Sequence, residues 1–152
     1  MNALISFHVS GDPRGQPRPR AFARRMGNKF VARVFESGTA EGWKSLVAFA
    51  ARSHAPVEPF AGPVSVKLAF SFKRPASHFR SGRFANELKS GVPRFHTGKP
   101  DADNLEKAVF DALTQLGVFW HDDAQIAHNE TLKIYGASGG VVVEIKPLEV
   151  LP

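Results

Sequence analysis

Residues 101–117 read DADNLEKAVFDALTQLG, and this stretch decides the architecture. At about 100° per residue, Leu105, Ala108, Val109, Ala112, Leu113 and Leu116 gather on one side, while Asp103, Lys107 and Asp111 gather on the other. A helix with one apolar stripe needs a second layer to cover it, and Gly117 supplies the stop. That layer is legible at residues 64–72, where Val64, Val66, Leu68, Phe70 and Phe72 alternate with smaller or polar neighbours. Period two with one apolar set predicts a strand with one buried face.

Working outward, residues 4–9 read as an opening strand stopped by Gly11-Asp12-Pro13. The arm GDPRGQPRPRAF, 11–22, resists regular structure because proline fixes φ and turns the preceding residue away from helix. Residues 21–25 and 29–35 flank Gly27-Asn28 as a hairpin. A second helix follows Thr39, the expected N-cap, and carries Trp43, Leu46, Val47, Ala50 and Ala51 on one stripe. Residues 74–99 hold no period, which predicts a functional or mobile loop. Residues 125–135 and 140–145 read as two final strands. The expected fold is α+β: a two-layer sandwich in one domain, 1–152, with a mixed, largely antiparallel sheet packed against two main helices.

Composition narrows the function. There is no cysteine, so disulfides, thiolate zinc sites, iron–sulfur clusters and thiol nucleophiles are excluded, and any metal rests on O or N ligands. No apolar run reaches the roughly 18 residues of a membrane span, and the N-terminus has no export pattern, so a cytoplasmic protein with no membrane partner is expected. The net charge of +6 is unevenly spread. Seven of the twenty cations lie in residues 14–33 and seven in 73–99, whereas Asp101, Asp103, Glu106, Asp111, Asp122 and Asp123 crowd into one short stretch. Basic loops around an acidic centre suit a polyanionic partner.

The acids themselves suggest a chemistry. Hydrolysis of a phosphodiester needs charge neutralised on oxygen and a water made nucleophilic, and a hard divalent cation held by a few carboxylates does both. Asp101 and Asp103 flank one residue at the helix start, where the helix dipole favours negative charge. Asp122-Asp123 returns after the short connection 117–121. Neighbours on an extended chain point oppositely, so one of that pair is expected as a direct ligand. Alone, each acid also reads as a cap or a solvated turn residue, and Lys107 as an i,i+4 surface pair. A calcium loop starting at Asp101 fails, because Glu106 stands where glycine is required. His96, His121 and His128 fit no zinc spacing.

Taken together, KPDADNLEKAVFDAL (99–113) followed by GVFWHDDAQI (117–126) resembles the signature of the RusA family of Holliday junction resolvases. The arm GDPRGQPRPR and the piece KRPASHF at 73–79 resemble that family's arm and variable loop. The resemblance implies a magnesium-dependent endonuclease, with manganese able to substitute, that cuts branched DNA at a four-way junction by paired symmetrical strand cleavage. It further implies a homodimer. Carried over by position, Asp101, Asp103 and Asp123 hold the metal and Lys107 is a further catalytic group, with Asp122 and Asp111 in support. Arg14, Arg18, Arg20, Arg24, Arg25, Lys73, Arg74, Arg80 and Arg83 are the expected DNA contacts. Two other readings compete: a junction-binding protein without cleavage, and a metal-dependent nuclease acting on forks or flaps.

Overall fold

In the computed structural model of the protein, residues 4–17, 19–27, 29–36 and 39–152 are described, with the backbone path alone for residues 19–26 and 29–36. The alternating segment Val64–Lys73 (β4) lies inside a four-stranded sheet, between Ile126–Gly136 (β5) and Gly140–Pro147 (β6), with Ile5–Ser10 (β1) beyond β6. The β1–β6 and β6–β4 pairs are antiparallel and β4–β5 is parallel. A parallel neighbour demands a crossover, and the helix Ala102–Leu116 (α2) lies within it. The sheet is therefore mixed and largely antiparallel, as expected.

Core side chains come from one face of that sheet. Val64, Val66, Leu68 and Phe70 of β4 and Val141, Val143 and Ile145 of β6 meet Leu105, Ala108, Val109, Ala112 and Leu113 of α2. The helix Glu41–Arg52 (α1) packs beside α2 and β1 and adds Trp43, Val47 and Ala51. Each fully buried Val or Leu contributes roughly 1.5–3 kcal/mol, so these stripes determine which way α2 faces. Gly117, at φ 72°, ends α2 in the left-handed region where a Cβ is disfavoured.

Two local expectations change. The arm shortens, because Pro19–Met26 (β2) is already a strand and pairs antiparallel with Lys29–Glu36 (β3). Thr39 is not the N-cap of α1; Ala40 holds that place, although Thr39 Oγ1 accepts the Glu41 N–H at 3.0 Å.

Residues 74–99 form a folded loop. Arg80 N–H donates to Glu87 O at 2.8 Å and Lys89 N–H to His78 O at 2.9 Å, closing a small hairpin over the 3-10 turn Gly82–Phe84. The loop then returns along the free edge of β5. His96 N–H donates to Lys133 O and Tyr135 N–H to Arg94 O, both at 3.0 Å, which covers an edge that would otherwise present unpaired backbone groups.

Candidate active site

Burial of the α2 stripe turns Asp103 and Lys107 to solvent and leaves Asp111 half-buried. Lys107 Nζ lies 3.2 Å from Asp111 Oδ1, one helical turn on. After α2 the chain turns back through Phe119 and Trp120, both wholly buried. Phe60 N–H donates to Phe119 O at 2.7 Å, and Trp120 Nε1 donates to Thr114 Oγ1 at 2.8 Å, which anchors this return to α2. The 3-10 turn Asp123–Gln125 follows directly.

Asp122 and Gln125 build that turn as a reciprocal cap. Asp122 Oδ1 accepts the Ala124 N–H at 2.8 Å, while Gln125 Oε1 accepts the N–H groups of His121 and Asp122 at 2.8 and 3.2 Å. Gln125 Nε2 meanwhile donates to Phe60 O and Gly62 O at 2.7 and 2.9 Å. Asp122 thus fixes the turn, and Asp123 presents its carboxylate.

The Asp123 carboxyl is held above the ordinary carboxylate range. Displacement of water around it is the largest cause, followed by hydrogen bonding to Asp122 and the negative charges of Asp122 and Asp111, with Lys107 opposing them. Lys107, Asp111, Asp122 and Asp123 therefore share one electrostatic site. Asp101 caps the other end of the acidic stretch. Lys99 Nζ donates to both of its oxygens, at 2.8 and 2.9 Å, and the side chain makes no capping hydrogen bond to α2. Asp103 Oδ1 accepts the Asn104 N–H at 3.0 Å.

The donors suit a hard divalent cation in kind: carboxylate oxygens at a helix start and a turn, with negative charge crowded around Asp123. Among the described residues, no three Asp, Glu or His side chains are already gathered tightly enough to hold an ion. The three histidines considered as ligands fall in separate surroundings. His96 stacks on Phe72 at 3.9 Å, His128 Nδ1 lies 2.8 Å from Ser65 Oγ, and His121 lends its N–H to the Gln125 cap.

Basic groups flank the acids. Arg14 is exposed, and the arm passes the start of α2 so closely that a Cβ on Gly15 would lie 2.9 Å from Asn104 Cβ. Gln16 N–H donates to Asn104 O at 2.8 Å, tying the arm to that helix. Arg18 lies outside the described residues, and Arg20, Arg24 and Arg25 lie on β2, whose side chains are also outside them. Lys73 ends β4, and Arg74 Nη1 donates to Pro93 O at 2.8 Å. Arg80 and Arg83 lie 4.0 and 4.8 Å from the centre of the Phe84 ring, and Arg80 also pairs with Glu87.

Three contributors lie outside the site residues expected from the sequence. Glu106 accepts hydrogen bonds from Asn129 Nδ2, at 2.9 Å, and from Thr131 Oγ1, lashing α2 to β5. Gln125 braces the acidic turn. Lys133 Nζ donates to Gly98 O at 2.7 Å, three residues before Asp101. One signal was available: Asn129, Thr131 and Lys133 occupy alternate strand positions, three polar residues on a single face.

The chain is similar to known proteins over most of its length. Residues 10–146 match the family model of endodeoxyribonuclease RusA. The chain is 33% identical over 142 residues to the uncharacterized protein YqaN of Bacillus subtilis, covering 93% of this chain and 95% of that one. It is 52% identical over 40 residues to the crossover junction endodeoxyribonuclease RusA of Escherichia coli K12, covering 26% of this chain and 32% of that one. The match to the protein of the same name from Enterobacteria phage 82 has the same identity and extent. No helix among the described residues is long and apolar enough to cross a membrane. With the match running from the end of β1 almost to the end of β6, the chain belongs to the RusA endodeoxyribonuclease family.

Proposed function

We propose that this endonuclease resolves four-way DNA junctions by magnesium-dependent hydrolysis, with Asp101, Asp103 and Asp123 as the carboxylates that hold the ion. The observation that carries the reading is the field that Lys107, Asp111 and Asp122 exert on Asp123, with Lys107 and Asp111 standing on the same helix that begins with Asp101 and Asp103. The names of the Escherichia coli and phage relatives support a branched substrate.

When bound, magnesium, or manganese in its place, neutralises charge on the scissile phosphate and lowers the pKa of a water. The protein's own groups set the stage for that chemistry. Lys99 holds the Asp101 carboxylate with a cation already beside it, so binding the ion exchanges one positive partner for another. Asp122 and Gln125 keep the turn rigid and Asp123 presented. Lys107 places an ammonium next to Asp111 and Asp123, where it stabilises negative charge growing on the phosphate.

Phosphate contacts come from Arg14, Arg18, Arg20, Arg24 and Arg25 along the arm and hairpin, and from Lys73, Arg74, Arg80 and Arg83 on the loop. A junction has approximate two-fold symmetry, so cutting opposed strands calls for two active sites related by a matching axis, hence a homodimer.

A metal titration on a synthetic junction tests the proposal. Shortened strands that appear with magnesium or manganese and vanish with chelator support it. Binding with no shortened strands under either ion defines a non-catalytic module instead. Cuts confined to forks or flaps move the enzyme to another substrate.

A further inference from the structure

The approach to Asp101 is tied to β5. Residues 96–98 run along β5, and Lys133 grips them twice: its backbone carbonyl accepts the His96 N–H at 3.0 Å, and its Nζ donates to Gly98 O at 2.7 Å. Gly98 leads through Lys99 and Pro100 straight to Asp101, the N-cap of α2.

This lysine stands on the helix-facing side of β5. It is in register with Phe70 of β4, on the same face as Thr131 opposite Leu68 and Asn129 opposite Val66. Its ammonium lies 5.9 Å from the centre of the Phe72 ring, and His96 stacks on that same ring. Burial there lowers the affinity of the amine for its proton, while the Asp101 carboxylate acts in the opposite sense. The group its ammonium reaches is the Gly98 carbonyl, in the last stretch of chain before Asp101.

We infer that Lys133 is a positioning residue for Asp101: by pinning the Gly98 carbonyl from β5, it fixes the backbone that delivers the Asp101 carboxylate to the metal site. The inference rests on the reading of Asp101 as a metal-holding group. Lys133 touches neither phosphate nor ion in this scheme; it acts through the segment 98–101. Since displacing a reacting group by about 1 Å can cost on the order of a hundredfold in rate, releasing this pin affects catalysis more than stability.

The test compares the wild-type protein with Lys133→Met, Lys133→Arg and Asp101→Asn. Lys133→Met is expected to keep its melting temperature and its junction binding in chelator. It should lose about ten- to a hundredfold in cleavage rate and need more magnesium for its half-maximal rate. In the metal-free protein, the amides of Lys99 and Asp101 should exchange faster, a readout independent of activity. Lys133→Arg, which retains a donor, should recover part of the loss. Wild-type rate, metal requirement and amide exchange in Lys133→Met would overturn the inference. So would a rate that falls only in step with melting temperature, at an unchanged metal requirement. Asp101→Asn separates the two levels. If it cleaves normally, the metal assignment fails and this inference with it; if it is inactive while Lys133→Met is normal, only the positioning role fails.

Discussion

Lys99 holds both carboxylate oxygens of Asp101, at 2.8 and 2.9 Å, in a pair whose side chains are 85% and 50% exposed. Exposed pairs contribute about 0–1 kcal/mol, so this contact sets the direction of a carboxylate far more than it stabilises the fold. Lys99→Met should therefore leave stability within about 0.5 kcal/mol of wild type. Because the ion competes with this ammonium for Asp101, the variant should reach half-maximal cleavage at a lower magnesium concentration. Chemical denaturation and a metal titration read the two effects separately, and a raised magnesium requirement would contradict the exchange of cations.

Glu106 has the opposite character. It is half-buried and receives hydrogen bonds from Asn129 and Thr131 on the neighbouring strand, binding the helix of the acidic centre to the sheet. Glu106→Ala leaves those donors without their acceptor and should cost about 1–3 kcal/mol in urea unfolding. Glu106→Gln keeps an acceptor and should cost less. Equal stability in all three proteins would show that the link carries no energy.

How much of this was legible in the sequence depends on how local each signal was. The α2 stripe, its glycine stop, the alternation of β4 and the pairing of the strands before and after Gly27 are written in neighbouring residues, and all appear in the structure. The order β1-β6-β4-β5 is not, because it joins strands far apart in the chain. The loop 74–99 gave no period because its order comes from turns, the Arg80–Glu87 pair and the β5 edge rather than from a repeating face. Among the acids, the crowding was visible but the division of labour was not. Asp122 becomes a cap only because Gln125 is braced by Phe60 and Gly62, more than 60 residues away in sequence. Glu106 is only one of the crowded acids, and Lys133 only one polar residue of a strand, until helix and strand are brought together.

Acid should loosen the returning loop. Burial, and secondarily the charge of Lys133, hold the His96 imidazole below its usual 6.5, while Phe72 and Tyr135 enclose it. The unfolded chain thus binds the proton more readily than the native one, and stability rises with pH across that window. The His96 contribution is fully present above about pH 6.5 and is lost as pH falls through the lower native value. Melting curves from pH 5 to 8 should show this slope in wild type and a weaker one in His96→Phe, which keeps the ring stack. Identical slopes would remove His96 as the source.

Binding of branched DNA should weaken steeply with salt, as neutralised phosphates release counterions. Arg83→Ala removes one cation and should lower the slope of log affinity against log salt by about 1. Arg80→Ala should do more harm than charge loss alone, because Arg80 also pairs with Glu87 and stacks on Phe84. Titrations at several salt concentrations separate the two, and an unchanged slope in Arg83→Ala would place that residue outside the DNA contact.

Junction cleavage requires Asp123 if it belongs to the cleaving centre. The direct measurement is strand cleavage of a labelled synthetic four-way junction in magnesium by wild type and Asp123→Asn, with junction binding followed in parallel. Wild type is expected to give paired nicks in opposed strands, and Asp123→Asn to leave the junction bound but uncut. Undiminished cleavage by Asp123→Asn would contradict the assignment of Asp123 to the metal site.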